Sequence, residues 1–389
     1  MRDLALAIFA LLSLVLTVWR WSVAIRFPLH RRTTAPAHLP GLTILKPVKG
    51  CGAETRRCLQ SWFALRYPGP LQILFGVAEA NDPACQVVRD LIGEFPGIDA
   101  QLVICNKDMG ANGKVSNLRQ LEPLIRHPLV MISDADVEVD VDFAAAITPL
   151  LANPDVGLVN CFYQMANPGT AAMRWEAVAV NADFWSQVLQ ARSLGPVRFA
   201  LGAVMTLPAS VLQRIGGFAP LADFLADDYQ LGQFVTRAGC RIEFSTEVVH
   251  CREMKVNWTD AWKHQLRWAR TIRICQPLPY LMSILGNATL WPLLWVAGTN
   301  DPLALPFFAA ALLFRILSAG HQQKRLTKSN SHWSYWWLPP VKDLLDFLIW
   351  AAAFWGNSVD WRGEHYRILS GGKLLKINRS PQPGQTTTT

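Results

Sequence analysis

The sequence predicts an α/β protein: a largely parallel sheet packed between helices, with membrane segments at both ends of the chain. Three observations carry this expectation. Between Pro40 and His250 short apolar runs alternate with stretches of helical periodicity, the pattern of strands joined by crossover helices. Residues 4–19, "LALAIFALLSLVLTVW", contain no charge. A second region is uncharged from Ile274 to Asn300 and, after the turn "TNDP", resumes from Leu303 to Phe314.

The first apolar run reaches roughly 24 Å as a helix, and Arg20 can extend it by snorkelling. It is long for a signal-peptide core, and the bulky "WRW" that follows is a poor cleavage site. Residues 1–27 therefore read as a retained anchor. Arg20, Arg26, Arg31 and Arg32 place the domain that follows, residues 28–250, on the cytoplasmic side.

Within that domain "LTILKPV" (42–48), "LQILFGVAE" (71–79), "AQLVIC" (100–105) and "PLVMISDAD" (128–136) read as strands. "ETRRCLQSWFALR" and "DPACQVVRDLIGEF" read as helices between them. Ligands of such sheets collect at the carboxyl ends of the strands. Lys46, Glu79, Asp82, Asp134 and Asp136, which follow or end these strands, are expected to converge on one crevice.

Asp134 and Asp136 flank a single alanine. Two carboxylates so close repel unless a positive charge lies between them. Mg²⁺ or Mn²⁺ suits the role, because both prefer oxygen ligands and are often shared between carboxylates and a substrate diphosphate. The competing reading is a solvated turn. Downstream, "ADDYQLG" (226–232) puts Asp227 and Asp228 at the start of a helix. Carboxylates there suit the helix dipole, and one of them could accept a proton from an attacking hydroxyl. "WTDAWKHQLRWARTIRI" spaces Trp258, Trp262, Leu266 and Ala269 on one face, with Lys263, Arg267 and Arg270 adjacent. Residues 251–275 are thus expected to hold a basic amphipathic helix at the membrane surface.

Residues 276–357 follow as C-terminal membrane segments, opening with a hairpin. The last candidate span, Leu344 to Val359, has Lys342, Asp343 and Asp346 crowded at its start, which leaves a re-entrant or interfacial segment as the alternative to a fourth crossing. A basic tail, residues 358–389, carries Arg362, Arg367, Lys373, Lys376 and Arg379. A fourth crossing would leave that tail outside, against the positive-inside tendency.

Composition narrows the partners. Of 389 residues, 51% are hydrophobic, more than a soluble core of this size requires. Most of the 16 tryptophans lie near the chain ends, where an interfacial aromatic belt belongs. The net charge of +8 sits beside apolar segments and favours an anionic membrane face over nucleic acid. Neither GxGxxG nor GxxxxGK[ST] occurs, so a bound nucleotide diphosphate must find its positive partner elsewhere. The eight cysteines include no CxxC pair and read as reduced thiols.

In order, "LTILKPVKG", "VAEANDPA", "GKVSNL", "SDADVEV", "LADDYQLG" and "HQLRWAR" resemble the inverting family 2 type glycosyltransferases. Among these they look most like the ceramide glucosyltransferase group, with its bacterial branch that glycosylates hopanoid lipids. The likeness runs from about Leu42 to Arg273 and continues weakly at "WRGEHYRIL". It implies a GT-A fold, a UDP-sugar donor such as UDP-glucose or UDP-N-acetylglucosamine, a ceramide or hopanoid acceptor, and a Mg²⁺ or Mn²⁺ cofactor. It also implies a multi-pass protein of the bacterial inner membrane. By the resemblance, Glu79 or Asp82 contacts the uridine, Lys46, Lys114 and Asn117 are donor-side polar positions, and Asp134 with Asp136 holds the metal. Asp228 matches the general base, and Arg267 and Trp268 match the terminal "RW" facing the leaving diphosphate. His264 stands where the family often has Gln or Arg, which argues against a processive polysaccharide synthase. That synthase and a non-catalytic sugar-nucleotide-binding module are the alternatives.

Overall fold

The computed structural model describes residues 1–31, 36–252, 254–361 and 364–377. Arg32, Arg362 and Arg379 lie outside this set. After α1 (Arg2–Arg26) the chain alternates β1 (Leu42–Val48), α2 (Thr55–Phe63), β2 (Leu71–Val77), α3 (Ala84–Glu94), β3 (Asp99–Ile104), α4 (Gly113–Leu121) and β4 (Leu129–Ser133). The four strands read from the sequence are all present, and β1 pairs in parallel with β2 and β4, as β2 does with β3. β2 and β4 end earlier than the apolar pattern suggests. Because β4 stops at Ser133, Asp134 and Asp136 stand in the loop beyond the strand.

The second half continues with β5 (Val137–Glu138), α5 (Phe143–Ile147), β6 (Val156–Met165), α6 (Ala171–Val178), α7 (Trp185–Leu194), β7 (Val204–Pro208), α8 (Ala209–Arg214), α9 (Asp227–Arg237) and β8 (Arg241–Cys251). Among the described residues the eight strands run in the order β3-β2-β1-β4-β7-β6-β8-β5. Strand β7 is antiparallel to both β4 and β6, while β8 is parallel to β6, so the sheet is mixed rather than wholly parallel. Alternation within each strand divides the core. Ile44, Ile73, Phe75 and Met131 pack on one face beneath α2 and α3, and Leu45, Leu74, Val130 and Ile132 pack on the other with Val115 and Leu118 of α4. All eight cysteines are free, five of them buried.

The chain continues with α10 (Trp258–Cys275), α11 (Pro277–Met282), α12 (Leu290–Gly298), α13 (Ala304–Thr327) and α14 (Leu338–Ala352). Two helices, α1 and α13, are long and apolar enough to cross a membrane. The first arm of the expected hairpin is not one helix. Residues 277–286 and 290–298 bend by 57° at the break, where the Asn287 side chain accepts from the Thr289 and Leu290 backbone N–H groups at 3.3 and 2.9 Å and starts α12 anew. The second arm runs past Phe314 to Thr327, because Arg315 does not face lipid.

Arg315 anchors a buried ion network. Its guanidinium donates to Asp183 Oδ2 at 2.8 Å and to Asp343 at 2.7 and 2.9 Å. Arg20 lies 3.3 Å from Asp183 Oδ1, and Lys342 donates to Asp183 Oδ2 at 2.9 Å. Asp183 sits in the π-helical turn Ala179–Phe184 between α6 and α7. One carboxylate thus ties α1, α13 and α14 to the sheet domain. Breaking such a network by removing one partner costs about 3–5 kcal/mol, because a charge is left buried without compensation. Arg315→Met is therefore expected to lower the thermal unfolding midpoint by several degrees, followed by tryptophan fluorescence in lipid nanodiscs. A midpoint equal to wild type would mean that the pairs contribute nothing.

The C-terminal segment is not a free tail. β9 (Ser358–Trp361), β10 (Glu364–Ile368) and β11 (Leu374–Lys376) form an antiparallel sheet. Its hydrogen bonds run to the loop before α9: Leu374 N donates to Asp223 O at 2.6 Å and Leu225 N to Gly372 O at 3.2 Å. Leu225 packs among Val359, Tyr366, Ile368 and Leu374. This small sheet buttresses the stretch that carries Asp227 and Asp228, and it lies on the same side of the molecule as the sheet domain.

Candidate active site

The crevice is built from the ends of β1 and β4 and the starts of α4 and α9. Lys46, near the end of β1, is wholly buried. Its ammonium lies 4.4 Å from the centre of the Trp62 ring and donates to Ser133 Oγ at 3.1 Å and to the carbonyl of Asp134. Burial pushes its pKa down to about 8, against the opposing pull of Asp136 and Asp134. Helix α4 begins at Asn112, whose side-chain oxygen accepts from the Lys114 and Val115 N–H groups at 3.0 and 3.2 Å, an N-cap. That cap orients Lys114, whose Nζ reaches Asp134 Oδ1 at 2.7 Å and Asp227 Oδ2 at 3.3 Å. Burial works against the charge on Lys114, but Asp134 and Asp227 outweigh it and hold the ammonium above its ordinary value. Part of the positive charge that the acid pair requires thus comes from two lysines on separate elements.

Asp227 is buried, held between Lys114 and the Asn112 amide, 3.5 Å from its Oδ1. Asp228, beside it, takes only its own helix's Tyr229 N–H, at 2.7 Å. Burial, then the negative charge of Asp227, raise its pKa to about 7, although Lys114 opposes the shift. A carboxyl in that range can gain and lose a proton near neutrality. The stretch "FALGAV" (199–204) lies against it. A Cβ at Gly202 would stand 3.0 Å from Asp228 Oδ2, and one at Gly232 would stand 2.5 Å from the backbone of Phe199 and Ala200. Only glycine permits this approach of loop to helix.

Other expected residues are used differently. Both carboxylate oxygens of Asp82 accept from Gly50 N, at 3.1 and 2.9 Å, and Oδ1 accepts from Ala84 N at 2.8 Å. Asp82 therefore joins the loop after β1 to the start of α3, while Glu79 is exposed. Asn117 is buried, and its amide donates to Gly76 O of β2 at 3.2 Å, turned to the sheet. His264, Arg267 and Trp268 share one face of α10 and form a second group. Trp268 packs against Met165 at the end of β6 and against the Phe184 ring, 6.2 Å away. His264 Nδ1 pairs with Glu176 of α6 at 2.5 Å. The groups approach because β8 pairs at its end with both β6 and β5, and Arg252 N, just beyond β8, donates to Asp136 O.

Sequence reasoning passed over Asn112, Trp62 and Glu176. Asn112 had a signal, an Asn directly before a helical run. Glu176, inside the apolar stretch "AAMRWEAV", had none. Among the described residues no group of three or more His, Cys, Asp or Glu is arranged to cage a metal ion. The donor set still suits a hard divalent ion held in part by substrate: Asp134 is 34% exposed, and such ions commonly take one or two carboxylates plus phosphate oxygens and water.

A family model described as glycosyl transferase family 21 matches residues 5–374. Among curated proteins, ceramide glucosyltransferase 1 of Caenorhabditis elegans is 23% identical, over 91% of this chain and 77% of that one. The β-monoglucosyldiacylglycerol synthase of Trichormus variabilis is 24% identical, over 57% of this chain and 46% of its own. Among solved structures, the mannosyltransferase PcManGT from Pyrobaculum calidifontis, in complex with GDP-Man and Mn²⁺, has a TM-score of 0.51 at 20% identity and covers 88% of this chain and 98% of its own. That likeness establishes a shared fold, the GT-A fold expected from the sequence.

Proposed function

We propose that this chain, which belongs to glycosyl transferase family 21, moves a sugar, glucose or N-acetylglucosamine, from a UDP-sugar to a hydroxyl of a membrane lipid such as ceramide or a hopanoid, with inversion at the anomeric carbon. The observation that carries this reading is the Lys114 bridge, which joins Asp134 on the donor side to Asp227 beside Asp228. It supports a reading in which Asp134 faces the diphosphate while Asp228, next in sequence to Asp227 on the other side of the cation, accepts the proton. Names of the relatives support a lipid acceptor.

In the proposed reaction Asp228 takes the proton of the lipid hydroxyl as its oxygen attacks the anomeric carbon in line and UDP departs from the opposite face. Asp134 and Asp136 would hold Mg²⁺ or Mn²⁺, which when bound neutralises the diphosphate as a Lewis acid. Lys46 and Lys114 keep the two carboxylates oriented toward it. Glu79, with Asp82 and Asn117 fixing the loops around it, borders the nucleotide side, and Arg267 and Trp268 face the leaving group. Positioning two reactants in this way is worth roughly 7–11 kcal/mol.

The same reading places the enzyme in the membrane, with its sheet domain on the cytoplasmic side. Helices α1 and α13 run parallel: Arg325 donates to Phe27 O at 2.6 Å where both end, and Arg2, at the start of α1, donates to Gly298 O at the end of α12, just before α13 begins. Three crossings follow: α1, the bent pair 277–298 and α13. Helix α14 and the C-terminal sheet then lie with the catalytic domain, in keeping with the positive-inside tendency. The test is incubation of purified membranes with a panel of radiolabelled UDP-sugars, followed by lipid extraction. Label is expected in the organic phase; label in insoluble polymer, or in no product, overturns the proposal.

A further inference from the structure

Glu176 has no exposed surface, yet its neighbours in the helix, Trp175 and Ala177, are equally buried and apolar. Its Oε1 receives both His264 Nδ1, at 2.5 Å, and Gln265 Nε2, at 2.9 Å. Its Oε2 is buried and has no hydrogen-bond partner. An ionised carboxylate buried in this way is costly unless paired. His264 supplies a partner whose charge can match it, since Gln265 is neutral. The ring is held further by Trp268, edge-on at 4.7 Å. Nδ1 is turned to a residue of zero exposure, which leaves Nε2 as the ring nitrogen not engaged by Glu176, and a quarter of the His264 side chain remains accessible. His264 shares a helix face with Arg267, three residues on.

We propose that Glu176 is a positioning residue for His264: its carboxylate accepts from the Nδ1–H of the imidazolium and so holds the Nε2–H, beside Arg267, as a donor to the leaving diphosphate. The inference rests on the sugar-nucleotide reading above, which supplies the diphosphate. A buried acid that orients an imidazole raises its basicity and keeps it in register, a pairing familiar from metal and proton-transfer sites.

Two measurements on the full chain in lipid nanodiscs test this. The first is the ¹⁵N spectrum of histidine-labelled protein, with the His264 signal identified by its loss in His264→Gln. An Nδ1-protonated ring is expected in wild type, and its signature is expected to vanish in Glu176→Ala. A ring signal unchanged by Glu176→Ala overturns the proposal. This readout does not depend on sugar transfer, so it stands apart from failure of the functional reading, which would show as wild-type protein that binds no UDP.

The second is a double-mutant cycle on UDP affinity and kcat with Glu176→Gln and His264→Gln. Each single variant is expected to weaken UDP binding by about tenfold, the scale of one charge-assisted hydrogen bond. In the His264→Gln background Glu176→Gln should add less than about twofold, because residues acting through one another are not additive. An equal effect in both backgrounds would mean that Glu176 acts on packing alone and would overturn its positioning role.

Discussion

Asp228→Asn is expected to cut sugar transfer by about 10²–10⁴-fold while leaving UDP affinity within about twofold of wild type. Positioned general bases contribute about 10²–10⁴-fold, and Asn keeps the shape of the side chain but cannot take the proton. The isosteric change also keeps the backbone contact of Ala200 N with Asp228 O at 3.4 Å, so loss of fold does not account for loss of rate. The pH profile sharpens the test. Asp228 sits at about 7 because it is buried beside Asp227. Below that value it is protonated and cannot accept a second proton, so kcat/KM should rise with pH through about 7 and then level off. The residual rate of Asp228→Asn should lack this limb. The same shift means that the native state holds a proton the unfolded chain would release. This group's contribution to stability is therefore present at low pH and is lost as pH rises from the ordinary aspartate range toward about 7. Normal turnover by the variant would remove the base assignment.

The second large effect concerns Asp134→Ala, which should cost about 10–100-fold in Mn²⁺-dependent UDP affinity, the usual range for losing support at a metal site. Calorimetric titration with and without Mn²⁺ separates two contributions. The metal-dependent part should disappear with the carboxylate. A metal-independent part should persist, because Lys114 keeps Asp227 as a partner at 3.3 Å and its ammonium, released from the 2.7 Å bond to Asp134, can turn to a phosphate oxygen. Manganese dependence equal to wild type would rule out Asp134 as a ligand. Restoration by Asp134→Glu but not by Asp134→Asn would show that charge, rather than hydrogen bonding, is what the site requires.

Much of the site was legible because its residues fall at strand ends. Lys46 and Asp134 could be read as neighbours from two apolar runs, since parallel strands bring their carboxyl ends together, and the register of Leu42 with Leu129 does so. Asp228 was legible from a motif at a helix start. Asp82 and Asn117, expected on the donor side, are also bonded to backbone, Gly50 for one and Gly76 for the other. Residue type alone does not reveal whether a polar side chain is occupied by its own fold. The broken arm at Asn287 was obscured for a similar reason: an uncharged run from Ile274 to Asn300 satisfies hydropathy whether or not a side chain restarts the helix partway.

Sequence by itself determined the repeating strand and helix pattern of the first half, the long apolar N-terminal helix and the acid pair at the tip of β4. These follow from local backbone periodicity and from the length of uncharged stretches, which the chain carries at short range. Tertiary structure alone decided which charges meet. Glu176 and His264 are 88 residues apart, Arg315 and Asp183 132, and the strands after Trp361 pack against Leu225. A buried charge is stable only beside a partner that removes its desolvation cost, and which partner that is depends on how distant elements pack.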